Sequence, residues 1–281
     1  MGRLLGGLFG QWRETATRQT AYLHIPKCAG TSVNHHLKRH LGSVRSGRAV
    51  TINSIDVLRG RSAPLAGART ARYVAGHCGW DHIAELGDTH LRFTFLRRPA
   101  ERVLSLYGFC RLLPESRNTA HFPLRAAREL TFEAFCRSDD ERVRMFIDNA
   151  QARSLACDYT SLDAALPSDW RSRARANLRK FDFVGLSERL DEQLPVVCGL
   201  IGIPPPKPTP RKNVGAGDVL ALPSAREAAE ILGDRIAADE ELYHRVEEDW
   251  EARDLSRAAG LQAPPRCGDR FRTNEGSRYR R

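Results

Sequence analysis

The stretch Ala21-Tyr22-Leu23-His24-Ile25-Pro26-Lys27-Cys28-Ala29-Gly30-Thr31-Ser32 constrains this chain more than any other part of it. A short apolar run of strand character meets Pro-Lys, then a turn of small residues, then two hydroxyls that open a helical stretch. Backbone N–H groups at a helix start have no partner inside the helix, and the helix dipole adds positive potential there, so this layout builds an anion cradle. Gly30 lets the backbone approach a phosphate closely, Thr31 and Ser32 offer hydroxyl donors, and Lys27 brings a mobile charge. Cys28 and Ala29 are small enough to leave the cradle open. A Walker A loop closes with Gly-Lys-Ser/Thr. Here the lysine precedes the glycine, which speaks against a purine triphosphatase or nucleotide kinase.

A second junction of the same kind lies downstream. Leu91-Arg92-Phe93-Thr94-Phe95-Leu96 reads as a buried strand and runs into Arg97-Arg98-Pro99-Ala100-Glu101-Arg102. Pro99 suits the first turn of a helix, where its missing N–H costs nothing. Val103, Leu104, Leu106 and Tyr107 give that helix a core-facing side. Arg97 stands at the strand end and Ser105 two turns into the helix; a guanidinium is a planar fork matched to phosphate. Arg98 and Arg102 read as solvated charges or structural salt-bridge partners. Between the two junctions, a strand through Tyr73-Val74-Ala75 ends at Gly76, with His77 on the following loop. Residues just beyond the carboxyl ends of parallel strands line the ligand crevice, so His77 should face Lys27 and Arg97.

The first loop resembles the 5′-phosphosulfate loop of the carbohydrate sulfotransferases, which use 3′-phosphoadenosine-5′-phosphosulfate (PAPS) as sulfuryl donor. Pro-Lys-x-x-Gly-Thr-Ser is characteristic of the branch with the uronyl and heparan sulfate 2-O-sulfotransferases. The segment from Arg97 is similar to the 3′-phosphate motif of that superfamily, Arg-x-Pro-x-x-Arg followed by Ser-x-Tyr. The resemblance implies a P-loop-like three-layer α/β fold, with a central parallel sheet flanked by helices. It gives Lys27 a place at the leaving group, and Cys28, Ala29, Gly30, Thr31 and Ser32 the 5′-phosphate. Arg97 and Ser105 would hold the 3′-phosphate. Gly-His at the corresponding strand end makes His77 the base that takes the acceptor proton, a task suited to neutral imidazole. Asp81 and Glu85 are the alternative bases, and His82 a supporting partner. Asn149 and Arg153 resemble acceptor-side positions, with an ordinary helix end as the competing reading. Arg211 and Lys212 fall where related enzymes close a loop over the nucleotide; a solvated basic loop competes. The implied products are 3′,5′-ADP and a sulfate ester of a hydroxyl-bearing, glycan-type acceptor.

The rest of the chain narrows the choice. Its 281 residues, 41% hydrophobic, suffice for a sizeable core. An N-terminal extension over 1–19, a sulfotransferase domain over 20–261 and a basic tail over 262–281 are expected, the tail disordered. Seven cysteines without CxxC spacing fit a reducing, cytoplasmic setting and no zinc site. No apolar run is long enough to cross a bilayer. His24 reads as a buried, hydrogen-bonded strand residue, and His35, His36 and His40 as a wet helix face. Helical periodicity dominates 122–179, and Phe181 to Glu188 reads as a strand followed by a capped helix. Pro204 to Pro210 is an extended connector. Arg235 to Arg253 forms an amphipathic helix that buries Ile236, Leu242, Tyr243 and Val246. The net charge of +10 attracts polyanions, and a non-catalytic polyanion-binding protein is the remaining alternative. Nucleic acid is not expected as a partner, for want of a recognition helix or aromatic platform.

Overall fold

The computed structural model describes residues 18–42, 47–52, 65–114, 123–158, 162, 166–207 and 220–258. The 1–17 segment, Arg211, Lys212 and the tail from 259 lie outside the described residues. Five strands form one parallel sheet: β1 Thr20–Leu23, β2 Ala49–Ile52, β3 Tyr73–Gly76, β4 Leu91–Leu96 and β5 Phe183–Leu186, in the order β2-β3-β1-β4-β5. The helices before β5 are α1 Gly30–Leu41, α2 Leu65–Ala68, α3 Trp80–Ala84, α4 Pro99–Leu112, α5 Leu124–Glu129, α6 Phe132–Arg137, α7 Glu141–Ile147, α8 Ala150–Ala156 and α9 Trp170–Leu178. After β5 come α10 Leu190–Ile201, α11 Ala225–Leu232 and α12 Ala237–Ala258.

Alternation along the strands builds two cores. Tyr22, Tyr73, Ala75, Phe93 and Phe95 face α1 and α10, packing on Val33, Leu37, Val197 and Ile201. Ala21, Leu23, Val74 and Leu96 point the other way, onto Trp80 and Ile83, Leu155, Leu178, and Leu242 with Val246 of α12. A third apolar cluster joins α4 to α7 with α11 through Val103, Leu106, Phe135, Phe146 and Leu232. Burial on both faces explains why the central strands read as continuous apolar runs. The three-layer α/β architecture expected from the sequence is the one observed.

Some boundaries differ. β1 stops at Leu23 because Pro26 and a left-handed Lys27 (φ 70°) turn the chain off the sheet, although His24 N–H still donates to Gly76 O at 3.0 Å. After β5 a one-turn 3₁₀ segment, Ser187–Arg189, precedes α10, and no side chain caps either start. The expected helix from Arg235 begins at Ala237 after a 3₁₀ turn, Gly233–Ile236; its four apolar residues are buried as expected. Described residues 204–207 of the proline-rich connector are in neither helix nor strand. No helix among the described residues is long and apolar enough to cross a membrane.

Candidate active site

The strand order determines where the site lies. β1 is central, with β3 on one side and β4 on the other, so the chain's direction of travel across the sheet reverses there. Register pairs Leu23 with both Gly76 and Thr94, so β1 and β3 end level and β4 runs two residues farther, to Leu96. Such a reversal opens a crevice above the strand ends. The loop from β1, His77 after β3 and Arg97 after β4 are its walls.

The loop conformation suits an anion. Lys27 and Ala29 both have left-handed backbones (φ 70° and 61°), and right-handed α1 follows directly at Gly30. Alternation of this kind turns successive N–H groups toward one concavity. Within the loop Cys28 N–H is bonded to Ile25 O at 3.2 Å, whereas the Ala29, Gly30 and Thr31 amides have no acceptor among the described residues. Two left-handed non-glycine residues cost energy, and the surroundings hold them. Tyr22 Oη donates to Cys28 O at 3.3 Å from below, and Arg97 Nη1 donates to Lys27 O at 3.3 Å. Thr31 and Ser32 are exposed on the first turn of α1, and no side chain caps that helix.

Lys27 Nζ lies 4.1 Å from the centre of the Phe109 ring. Burial, with Arg97 adding to it, lowers the pKa of its ammonium. Glu101, Ser105 and Phe109 recur every four residues on α4 and therefore share one face. Arg97 reaches Glu101 at 4.0 Å and Lys27 covers Phe109, so Ser105 lies midway along the helix face that carries both contacts. Cys28 is fully buried; burial pushes its thiol up to about 12, and Sγ donates to Gln151 Oε1 at 3.4 Å. Its place is in the packing beneath the loop, where it donates.

Gln151 escaped the sequence reading. Its amide pairs with the backbone of Arg97 as a strand would: Arg97 N–H donates to Oε1 and Nε2 donates to Arg97 O, both at 2.9 Å. One buried side chain thus ties the loop after β1, through Cys28, to the β4 end. Nothing in local sequence marks a glutamine inside an ordinary helix for that task. Asp239 was missed for the same reason; its carboxylate accepts from Gln151 N (3.2 Å) and Ala152 N (2.7 Å).

His77 is half-buried and its ring lies 4.3 Å, centre to centre, from that of His24. Asp81 and Glu85 are exposed, and burial together with Asp158 raises the pKa of the Asp81 carboxyl. His82 is half-buried on α3, with Nδ1 buried and unpartnered. Arg98 is structural, as expected: its N–H donates to Glu188 and its guanidinium to Tyr243 and Glu247. Arg102 is completely buried and donates to Phe146 O at 2.7 Å.

Asn149 and Arg153 are not brought into this crevice. They stand on the face of α8 opposite Gln151, beside a cavity of about 550 Å³ shared with Trp170 and Arg171. Their polar groups serve the framework: Asn149 Oδ1 accepts from Ala238 N at 2.7 Å, and Arg153 Nη2 donates to Met145 O at 2.7 Å. No cluster of three or more His, Cys, Asp or Glu among the described residues is arranged to hold a metal ion.

No curated protein matches this chain. Among solved structures, a sulfotransferase from Alicyclobacillus acidocaldarius is similar, with 15% identity over 82% of this chain and 97% of that one. Its TM-score of 0.40 is too low for the likeness to carry any argument. A model of the Sulfotransferase family matches residues 15–252, a span that includes the β1 loop, His77, the Arg97 junction and α8, and the chain belongs to that family.

Proposed function

We propose that this sulfotransferase moves a sulfuryl group from PAPS to a hydroxyl of a carbohydrate-type acceptor, releasing 3′,5′-ADP and a sulfate ester. The observation that supports the reading is that the anion-turned loop after β1, His77 after β3 and Arg97 after β4 all follow strand ends at one reversal of strand order. Within this reading the donor supplies the sulfuryl group and the protein supplies position and charge. The Ala29, Gly30 and Thr31 amides, with the hydroxyls of Thr31 and Ser32, bind the 5′-phosphate, while Arg97 and Ser105 bind the 3′-phosphate. Lys27 neutralises charge gathering on the leaving phosphate, as an in-line transfer demands. His77 takes the proton of the attacking hydroxyl. The acceptor class rests on the likeness of Gly76-His77 and the Pro-Lys loop to the uronyl and heparan sulfate 2-O-sulfotransferases. Asn149 and Arg153 enter as framework residues, and the cytoplasm is the compartment this reading assigns.

The test is calorimetric titration with 3′,5′-ADP, followed by transfer assays with PAPS and a panel of glycans. Wild type should bind saturably, and Arg97→Ala should weaken binding by about 10- to 100-fold, the worth of a charge-assisted contact. His77→Ala should bind the nucleotide normally yet lose turnover by roughly 10²- to 10⁴-fold. No binding by folded wild type at low salt overturns the reading. Preference for ATP with Mg²⁺ would mark a kinase, and steeply salt-dependent polyanion binding alone a non-catalytic protein.

A further inference from the structure

His24 belongs to the strand exit, not to the residues given a role above, yet its ring lies 4.3 Å, centre to centre, from that of His77. Its orientation follows from a chain of hydrogen bonds that admits one solution. Gly30 O can only accept, and the Asn34 side chain meets it at 2.9 Å, so the amide nitrogen of Asn34 faces it. The amide oxygen then accepts from Tyr73 Oη at 2.8 Å. The same amide nitrogen lies 3.3 Å from His24 Nδ1. An amide nitrogen donates and does not accept, so Nδ1 is the accepting nitrogen and the proton of neutral His24 is on Nε2.

Burial, with His77, Lys27 and Lys38 around it, holds the pKa of this imidazole well below the ordinary 6.5, so the neutral form prevails. Nε2 sits over the first residue of α1: a Cβ added to Gly30 would fall 1.6 Å from it. It has no hydrogen-bond partner among the described residues, and His24 is half-buried, not sealed from solvent. An oriented N–H therefore looks out between the anion-turned loop and His77.

We propose that His24 is a second functional histidine, whose Nε2–H donates a hydrogen bond to a 5′-phosphosulfate oxygen seated over Gly30. This deepens the donor reading above and rests on it. The Tyr73–Asn34 relay keeps the proton on the outward nitrogen of His24, while the role of base stays with His77. Positioned donors of this kind cost no reorganisation when charge develops.

The probes are 3′,5′-ADP and adenosine 3′-phosphate, which lacks the 5′-phosphate, titrated calorimetrically into wild type, His24→Phe and His24→Gln. Phenylalanine keeps a flat ring between Tyr22 and Gly30 but has no N–H; glutamine restores a donor near Nε2. His24→Phe should lose about 10- to 100-fold in affinity for 3′,5′-ADP while binding adenosine 3′-phosphate as wild type does, and His24→Gln should recover most of the loss. Equal affinity of wild type and a folded His24→Phe for 3′,5′-ADP overturns the proposal while leaving the donor reading intact. Failure of wild type to bind either probe instead refutes the donor reading. Long-range ¹H–¹⁵N spectra of wild type give a check that needs no variant. Protonated Nε2 at neutral pH, shifted by 3′,5′-ADP, supports the assignment, and protonated Nδ1 overturns it.

Discussion

Gly30 shows how one side chain's absence is enforced by a neighbour. Its backbone is not left-handed, and in a helix alanine would ordinarily be better than glycine by roughly 1 kcal/mol. The Cβ of alanine would collide with His24 at Nε2, Cδ2 and Cε1, all within 2.3 Å. That ring is half-buried and bonded to Asn34, so it yields only by breaking the relay from Tyr73. Overpacking of this sort costs typically about 1–3 kcal/mol, and the clash outweighs the propensity gain. Gly30→Ala should therefore lower the urea midpoint and weaken 3′,5′-ADP binding, and Gly30→Ala with His24→Ala should regain part of the stability. A Gly30→Ala variant as stable as wild type would show that the ring is not confined.

At the level of elements, two helices cap one another. Asp239, in the first turn of α12, accepts from the first-turn amides of α8, while Asn149, just before α8, accepts from Ala238 and Asp239 at the start of α12. Asn149 pays for this geometry with a left-handed backbone (φ 46°). Burial raises the pKa of the Asp239 carboxyl, while Arg102 and the two amides pull it back. Because α8 carries Gln151, the cap also fixes the side chain that holds Arg97. Asp239→Ala strands two buried N–H groups, and a lost cap together with unsatisfied amides is worth roughly 2–4 kcal/mol. Urea unfolding should read that loss, and a change below about 0.5 kcal/mol would remove the cap from the account.

For the molecule as a whole, acid is the informative stress. His24 is held neutral with a depressed pKa by burial first, then by His77, Lys27 and Lys38. The sign is that of a group that binds its proton more readily when unfolded. Its contribution to stability is full above the ordinary value of 6.5 and is lost as the pH falls below that value toward the folded one. The chain already carries a net charge of +10, so acidification also adds self-repulsion that does not depend on His24. Comparing urea midpoints of wild type and His24→Phe between pH 7 and pH 5 separates the two effects. Wild type should lose more stability than the variant over that interval; parallel curves would mean that His24 is already solvated.

What the amino-acid sequence determined by itself is local. The strand-turn-helix at Lys27, the proline-started helix after Arg97, the strand end before His77 and the buried face of α12 were all legible, because each is written in periodicity, in proline and glycine, and in residues a few positions apart. The edge strand Ala49–Ile52 was not singled out, being four residues long with one of its side chains exposed. Neither were Gln151, Asp239 or the His24 relay. The Gln151 amide meets Cys28 across 123 positions and Arg97 across 54, and Asp239 meets Ala152 across 87. Contacts at those separations exist only once β1 has been laid between β3 and β4 and α8 has been packed against α12. Tertiary structure alone decided them, because a buried polar group finds its partner through strand register and layer packing, which no short stretch of sequence specifies.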